Sequence, residues 1–207
     1  PQLAIGTPRV GSLGGIATGF SRFHKAGKID YRIGVPLFIL SIVGAYMGSR
    51  TLLAISTVLL ERILGVFILA MIALTLLQRD IGVKPRGAAG PFLRTFGYTL
   101  FLVNGFIGAF FSAGSGILGR YILLFIFGKT YLESAGTRKI ESVGMGVTAS
   151  LVYITSGIVD WRYAAILLPS SALGASLGAA YGLRKGDRWV RTLFIIFVLA
   201  SAVELLL

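Results

Sequence analysis

The stretch Thr95–Gly119 runs for 25 residues without a charged side chain. Ile33–Gly48, Ile63–Gln78, Val143–Val159 and Tyr163–Leu183 are uncharged as well. Roughly 20 apolar residues span a bilayer as a helix, so several of these runs are long enough to cross one. They do not alternate apolar and polar residues over about 10 positions, as barrel strands do. Composition agrees: 55% of the chain is hydrophobic, 14% is charged and the mean hydropathy is +0.83, where soluble domains carry about 25% charged residues. The expected fold class is therefore all-α: a polytopic integral membrane protein.

The chain is internally duplicated. Gly6-Thr7 recurs as Gly136-Thr137, Gly27-x-x-Asp30-Tyr31-Arg32 as Gly157-x-x-Asp160-Trp161-Arg162, and Gly44-Ala45-x-x-Gly48 as Gly174-Ala175-x-x-Gly178. The offset is 130 each time (136 less 6, 160 less 30, 178 less 48). Residues 1–77 read as a first repeat, 78–94 as a cytoplasmic linker and 95–207 as a second repeat. The second copy is preceded by 95–129, so the duplication predicts an equivalent element of about 35 residues ahead of Pro1.

Helical segments are predicted at about 8–23, 33–50, 54–77, 95–113, 116–128, 139–156, 163–183 and 189–207. Of the 20 Lys and Arg, against 8 Asp and Glu, most lie between these segments. Loops 22–32, 78–94 and 184–191 hold the strongest positive excess, which assigns them to the cytoplasm. Loop 22–32 then lies inside and its counterpart 157–162 outside, so the two repeats are expected to be inverted, with a parallel arrangement of four plus four helices as the alternative. That arrangement requires 95–138 to enter and leave on one side, through broken or re-entrant helices.

The segment Asn104-Gly105-Phe-Ile-Gly108-Ala-Phe-Phe-Ser112-Ala-Gly114-Ser115-Gly116-Ile-Leu-Gly119-Arg120 carries five glycines. Each weakens an ordinary helix by about 1 kcal/mol relative to Ala. Such a stretch in a membrane either packs closely on another helix or breaks to line a cavity. Together with Leu3-Ala4-Ile5-Gly6-Thr7 and the duplicated Gly-x-x-Asp-aromatic-Arg, this order of motifs resembles the sulfite exporter TauE/SafE family, also called the toluene-sulfonate uptake permease family. The resemblance covers essentially the whole chain. It departs where Gly114-Ser115-Gly116 replaces a triple glycine and where Pro8 and Arg138 follow the Gly-Thr pairs.

The resemblance implies transport of small anions, sulfur-containing ones such as sulfite, sulfonate or thiosulfate, across a prokaryotic plasma or inner membrane. An anion asks for backbone N–H groups at helix starts and for fixed cations. The candidate substrate-binding residues are Gly6, Thr7, Arg9, Ser112, Gly114, Ser115, Gly116, Arg120, Gly136, Thr137, Arg138 and Lys139. Thr7 and Thr137 are expected as helix N-caps. Arg9 occupies the repeat position of Lys139. Glu141 is either a structural partner of these cations or a carboxylate coupling transport to a proton or sodium ion. Asp30 and Asp160 are expected to shape turns.

Composition also sets aside other classes. There is no Cys, so disulfides and thiolate metal sites are excluded, and with the single His24 in a basic stretch no His-based metal site is expected. No nucleophile–base pair lies in the apolar runs, so no catalytic residue and no cofactor is assigned. A nucleotide-binding Gly-x-x-x-x-Gly-Lys-Ser/Thr loop is missing, and the basic excess is read as topology rather than nucleic-acid binding. The expected partners are a small anion, the lipid bilayer, a coupling ion and, as an open option, further copies of the chain. An anion channel or a non-catalytic membrane assembly subunit stands as the alternative function.

Overall fold

The computed structural model describes residues 2–56, 59, 87, 89–110, 112–193 and 196, with the side chains of 110 and 112–114 outside that set. All regular structure among them is helical: α1 Gln2–Lys25, α2 Tyr31–Ala54, α3 Pro91–Phe110, α4 Ser112–Phe125, α5 Tyr131–Thr155 and α6 Trp161–Lys185. A further helical stretch begins at 187–193. The segment expected at 54–77 and most of that at 189–207 lie outside the described residues.

The duplicated Gly-x-x-Asp motif builds the same corner twice. Gly27 takes φ +64° and Gly157 φ +71°, the left-handed region where a Cβ is penalised. The following amides, Lys28 and Ile158, then donate back to Phe23 and Tyr153, each at 3.1 Å, closing the helix in a Schellman turn. Three residues after each glycine, the Asp caps the next helix. Asp30 accepts from the backbone of Arg32 and Ile33, and Asp160 from Arg162 and Tyr163. The turn-shaping role expected of both aspartates is their observed one. Helix α5 starts on a capping box, with Thr130 accepting from the Glu133 amide and the Glu133 carboxylate accepting from Thr130 N–H.

Contacts between repeat-equivalent elements are reciprocal. Helix α1 packs on α6 as α2 packs on α5, while α1 and α5 meet each other. Gly6 lies against the Ile158 carbonyl, and Gly136 against that of Lys28. The Asp160 amide donates to the Thr7 hydroxyl at 2.9 Å, and the Asp30 amide to Thr137 at 3.1 Å. The two threonines are therefore not N-caps. Each lies inside a helix, and its hydroxyl satisfies the corner of the opposite repeat.

Helices α3 and α4 form an antiparallel pair. The Ala89 amide donates to the Ile126 carbonyl at 2.9 Å, Tyr98 meets Phe127 edge-on, and Gly108 near the apex contacts Ser115. The start of α3 and the end of α4 thus lie side by side. The direction of the chain therefore reverses within the glycine-rich segment, between Gly108 and Ser115. Two glycines of that segment serve close packing: Gly105 on the Ser41 backbone, and Gly108 also on Met145. Gly44 and Gly48 of α2 likewise seat the backbone of Leu102 and Phe106. Their counterparts Gly174 and Gly178 meet nothing within 4 Å among the described residues.

Polarity is arranged inside out. Thr7, Arg9, Ser41, Asn104, Thr137 and Glu141 are buried, whereas α2 exposes Val35, Ile39, Val43 and Met47 and α6 exposes Ile166, Leu173, Leu177 and Tyr181. Such continuous apolar faces are unfavourable in water and suit lipid. Helices α2 and α6, repeat equivalents of each other, are each long and apolar enough to cross a membrane.

Candidate functional site: a cavity lined by cations

A cavity of about 440 Å³ opens between α4, α5, α6 and the end of α1. Arg120, Arg138 and Lys139 all line it, together with Ser142, Gly178 and Trp189. The helices explain the convergence. Arg120 ends the glycine-rich segment on α4. Arg138 and Lys139 are consecutive on α5, so they leave the helix about 100° apart and reach the cavity along different paths.

Arg138 is held on two sides. Its Nε donates to Glu141 Oε2 at 3.1 Å, and its Nη1 donates to the Gly116 carbonyl at 3.0 Å. Gly119 gives this guanidinium room, since a Cβ there would lie 2.7 Å from Arg138 Nε. Glu141 is fully buried, and its Oε1 accepts from Asn104 Nδ2 at 2.7 Å. The Arg120 guanidinium lies over the Tyr131 ring, 6.0 Å from its centroid. Lys139 runs against α1, where a Cβ on Gly19 would stand 3.0 Å from its Nζ.

The candidate residues separate into groups. Arg120, Arg138 and Lys139 come together in the cavity, and Gly116 supports it through its carbonyl. Glu141 stands directly behind Arg138. Gly6, Thr7, Gly136 and Thr137 join the two halves and do not line the cavity. Arg9 is buried, with 4% exposure, between α1 and the Tyr153 and Glu141 side of α5. Ser115 is fully buried against Gly108. Ser112 and Gly114 fall among the residues whose side chains are not described. Sequence reasoning missed Asn104 as the partner of Glu141, although an amide inside a 25-residue uncharged run is a legible signal. It also missed Ser142, one turn beyond Arg138, and Trp189.

The cavity can hold a small anion by charge and by N–H donation. With Arg120, Arg138 and Lys139 in its walls, anion binding is the chemistry this lining offers. The family model for the sulfite exporter TauE/SafE matches residues 1–205. The chain belongs to the TauE/SafE family. It is similar to a "Probable membrane transporter protein ORF9" of Sinorhizobium sp., with 25% identity over all of this chain and 78% of the relative. A probable membrane transporter protein of Haemophilus influenzae is 22% identical over 95% of this chain and 76% of its own length. The probable membrane transporter protein YunE of Bacillus subtilis is 26% identical over all of this chain and 81% of its own length. No solved structure matches. As a TauE/SafE protein with a lipid-suited exterior, the chain is a membrane transporter.

Proposed function

We propose that this TauE/SafE protein is a multi-pass secondary transporter of the prokaryotic plasma or inner membrane, and that it carries small sulfur-containing anions such as sulfite or a sulfonate. The observation that carries the reading is the meeting of Arg120, Arg138 and Lys139 on one cavity. Charged groups at membrane depth are costly and mark ion or substrate paths. In this reading residues 1–77 and 95–207 act as inverted repeats joined by 78–94. The adjacency of Ala89 and Ile126 supports it, because it returns α3 and α4 to the side they started from. Glu141 acts as the coupling carboxylate: an anion drawing Arg138 toward the cavity leaves Glu141 free to take up a proton.

The test is sulfite flux in proteoliposomes with Arg138→Gln and Lys139→Ala. Loss of one charge-assisted hydrogen bond of about 1.5–3 kcal/mol raises the half-saturation concentration about 10- to 100-fold. Unchanged half-saturation in both variants removes the cavity from the transport path. Flux that rises linearly with concentration, without saturation, replaces the carrier with a channel. Glu141→Gln is expected to keep sulfite–sulfite exchange and to lose its response to an imposed pH gradient.

A further inference from the structure

Arg9 stands apart from the cavity and is not accounted for by it. Its side chain is 4% exposed, and its Nη2 finds no hydrogen-bond partner among the described residues. The groups facing it electrostatically are Tyr153 and Glu141. Glu141 already accepts from both Asn104 and Arg138, so the guanidinium is left as an incompletely satisfied donor deep in an apolar protein. A buried charge without full pairing is strongly unfavourable, unless a ligand of opposite sign shares the site.

The duplication says what that ligand is. Arg9 is the repeat counterpart of Lys139, Ser12 of Ser142, and Tyr153 of Phe23, and the three second members all line the cavity. The reciprocal Thr7–Asp160 and Thr137–Asp30 bonds show that the two corners correspond in place as well as in sequence, while at Arg9 the end of α3 packs beside the site, the Tyr153 hydroxyl donating to the Ala109 carbonyl at 2.9 Å. We infer that Arg9, with Ser12 and Tyr153 beside it, forms a second station for the same small anion, reached from the cavity across the α1–α5 interface. The inference rests on the cavity reading and adds a distinct site to it.

The chain lacks cysteine, so a single introduced thiol reports on one place. Ser12→Cys and Ser142→Cys are alkylated with a maleimide in proteoliposomes, with and without methanesulfonate, a small sulfonate that does not react with the reagent. The anion is expected to slow labelling at both positions by about threefold or more, the degree of occupancy set by its concentration relative to Kd. Adding Arg9→Gln is expected to abolish protection at position 12 and to leave it at 142. Arg9→Lys, which keeps the charge and the fold but loses the forked donor, is expected to weaken protection at 12 alone. Protection at 142 only, or protection at 12 that survives Arg9→Gln, overturns the second station and leaves the cavity standing. No protection at either position overturns the cavity reading together with this one.

Discussion

Gly19 shows how much a single absent methyl group can determine. Lys139 crosses from α5 to α1 and lays its terminal carbons and amine where a Cβ of residue 19 would project. The obstacle would be the far end of a flexible side chain, so Gly19→Ala is expected to fold with little loss, and the amine to move. Sulfite half-saturation should rise about three- to tenfold, since a shift of an ångström or so weakens rather than removes an ion contact. In a Lys139→Ala background the same substitution should do nothing further, a coupling that flux measurements on the double-mutant cycle read directly. At the α1–α2 corner a second charged contact is open to titration. Burial alone would raise the Asp30 carboxyl. Its hydrogen bond and ion pair with Lys129, at 2.6 Å, and the amides of Ile33 and Arg32 outweigh that and hold it below the ordinary carboxylate value. A depressed carboxyl stabilises the fold above its unfolded pKa, and that stabilisation is lost as pH falls through the folded value. Asp30→Asn retains the cap and loses the charge. Being partly exposed, the pair is worth about 1 kcal/mol or less. Wild type should therefore melt slightly above Asp30→Asn at pH 7, with the gap closing below about pH 4, as thermal unfolding in detergent will show.

Helices in this protein are joined through hydroxyl groups placed inside them. Reading Gly-Thr as a helix start was reasonable from the sequence, because Thr is a favoured cap and an apolar run follows. It failed because the partner of each hydroxyl lies 153 or 107 residues away, and nothing local in the chain announces a bond to the other half. The corners, by contrast, were legible, because Gly in the left-handed region and Asp at an N-cap act within a few residues. The reversal within the glycine-rich segment was legible for the same reason, while the packing of its glycines on Ser41 and Met145 was not. The interlock carries a prediction at this scale. Thr7→Val and Thr137→Val keep the side-chain shape but leave the Asp160 or Asp30 amide without its acceptor. Each should lower stability by about 1–3 kcal/mol, and similarly, because the two contacts are repeat equivalents. A large loss in one and none in the other would show that only one half depends on the interlock. Equilibrium unfolding of the two variants side by side makes the comparison.

For the whole molecule, the uncharged runs and the 130-residue offset carry the helical class and the repeat equivalence of α1 with α5 and of α2 with α6. They could not reveal that three cations from two helices share one cavity while Arg9 stays apart, since that depends on how α4 tilts against α5. The orientation of the halves is a prediction at this scale. Two repeats whose contacts are reciprocal are related by a two-fold axis, and such an axis can lie along the membrane normal or in its plane. Only the second places equivalent corners on opposite faces. Loop 22–32 carries Arg22, Lys25, Lys28 and Arg32, whereas 157–162 carries Asp160 and Arg162, and positive loops remain cytoplasmic. The α3–α4 pair is consistent with this, because it begins and ends together and so adds no net crossing between the halves. Ala26 and Ser156 are repeat-equivalent, exposed positions at the two corners, and neither takes part in the cavity. With no native thiol to compete, Ser156→Cys should react with a membrane-impermeant maleimide in intact cells, and Ala26→Cys only after lysis. Reaction of both from one side would place the axis along the normal, making the halves parallel and leaving the charge asymmetry of their loops without a topological cause.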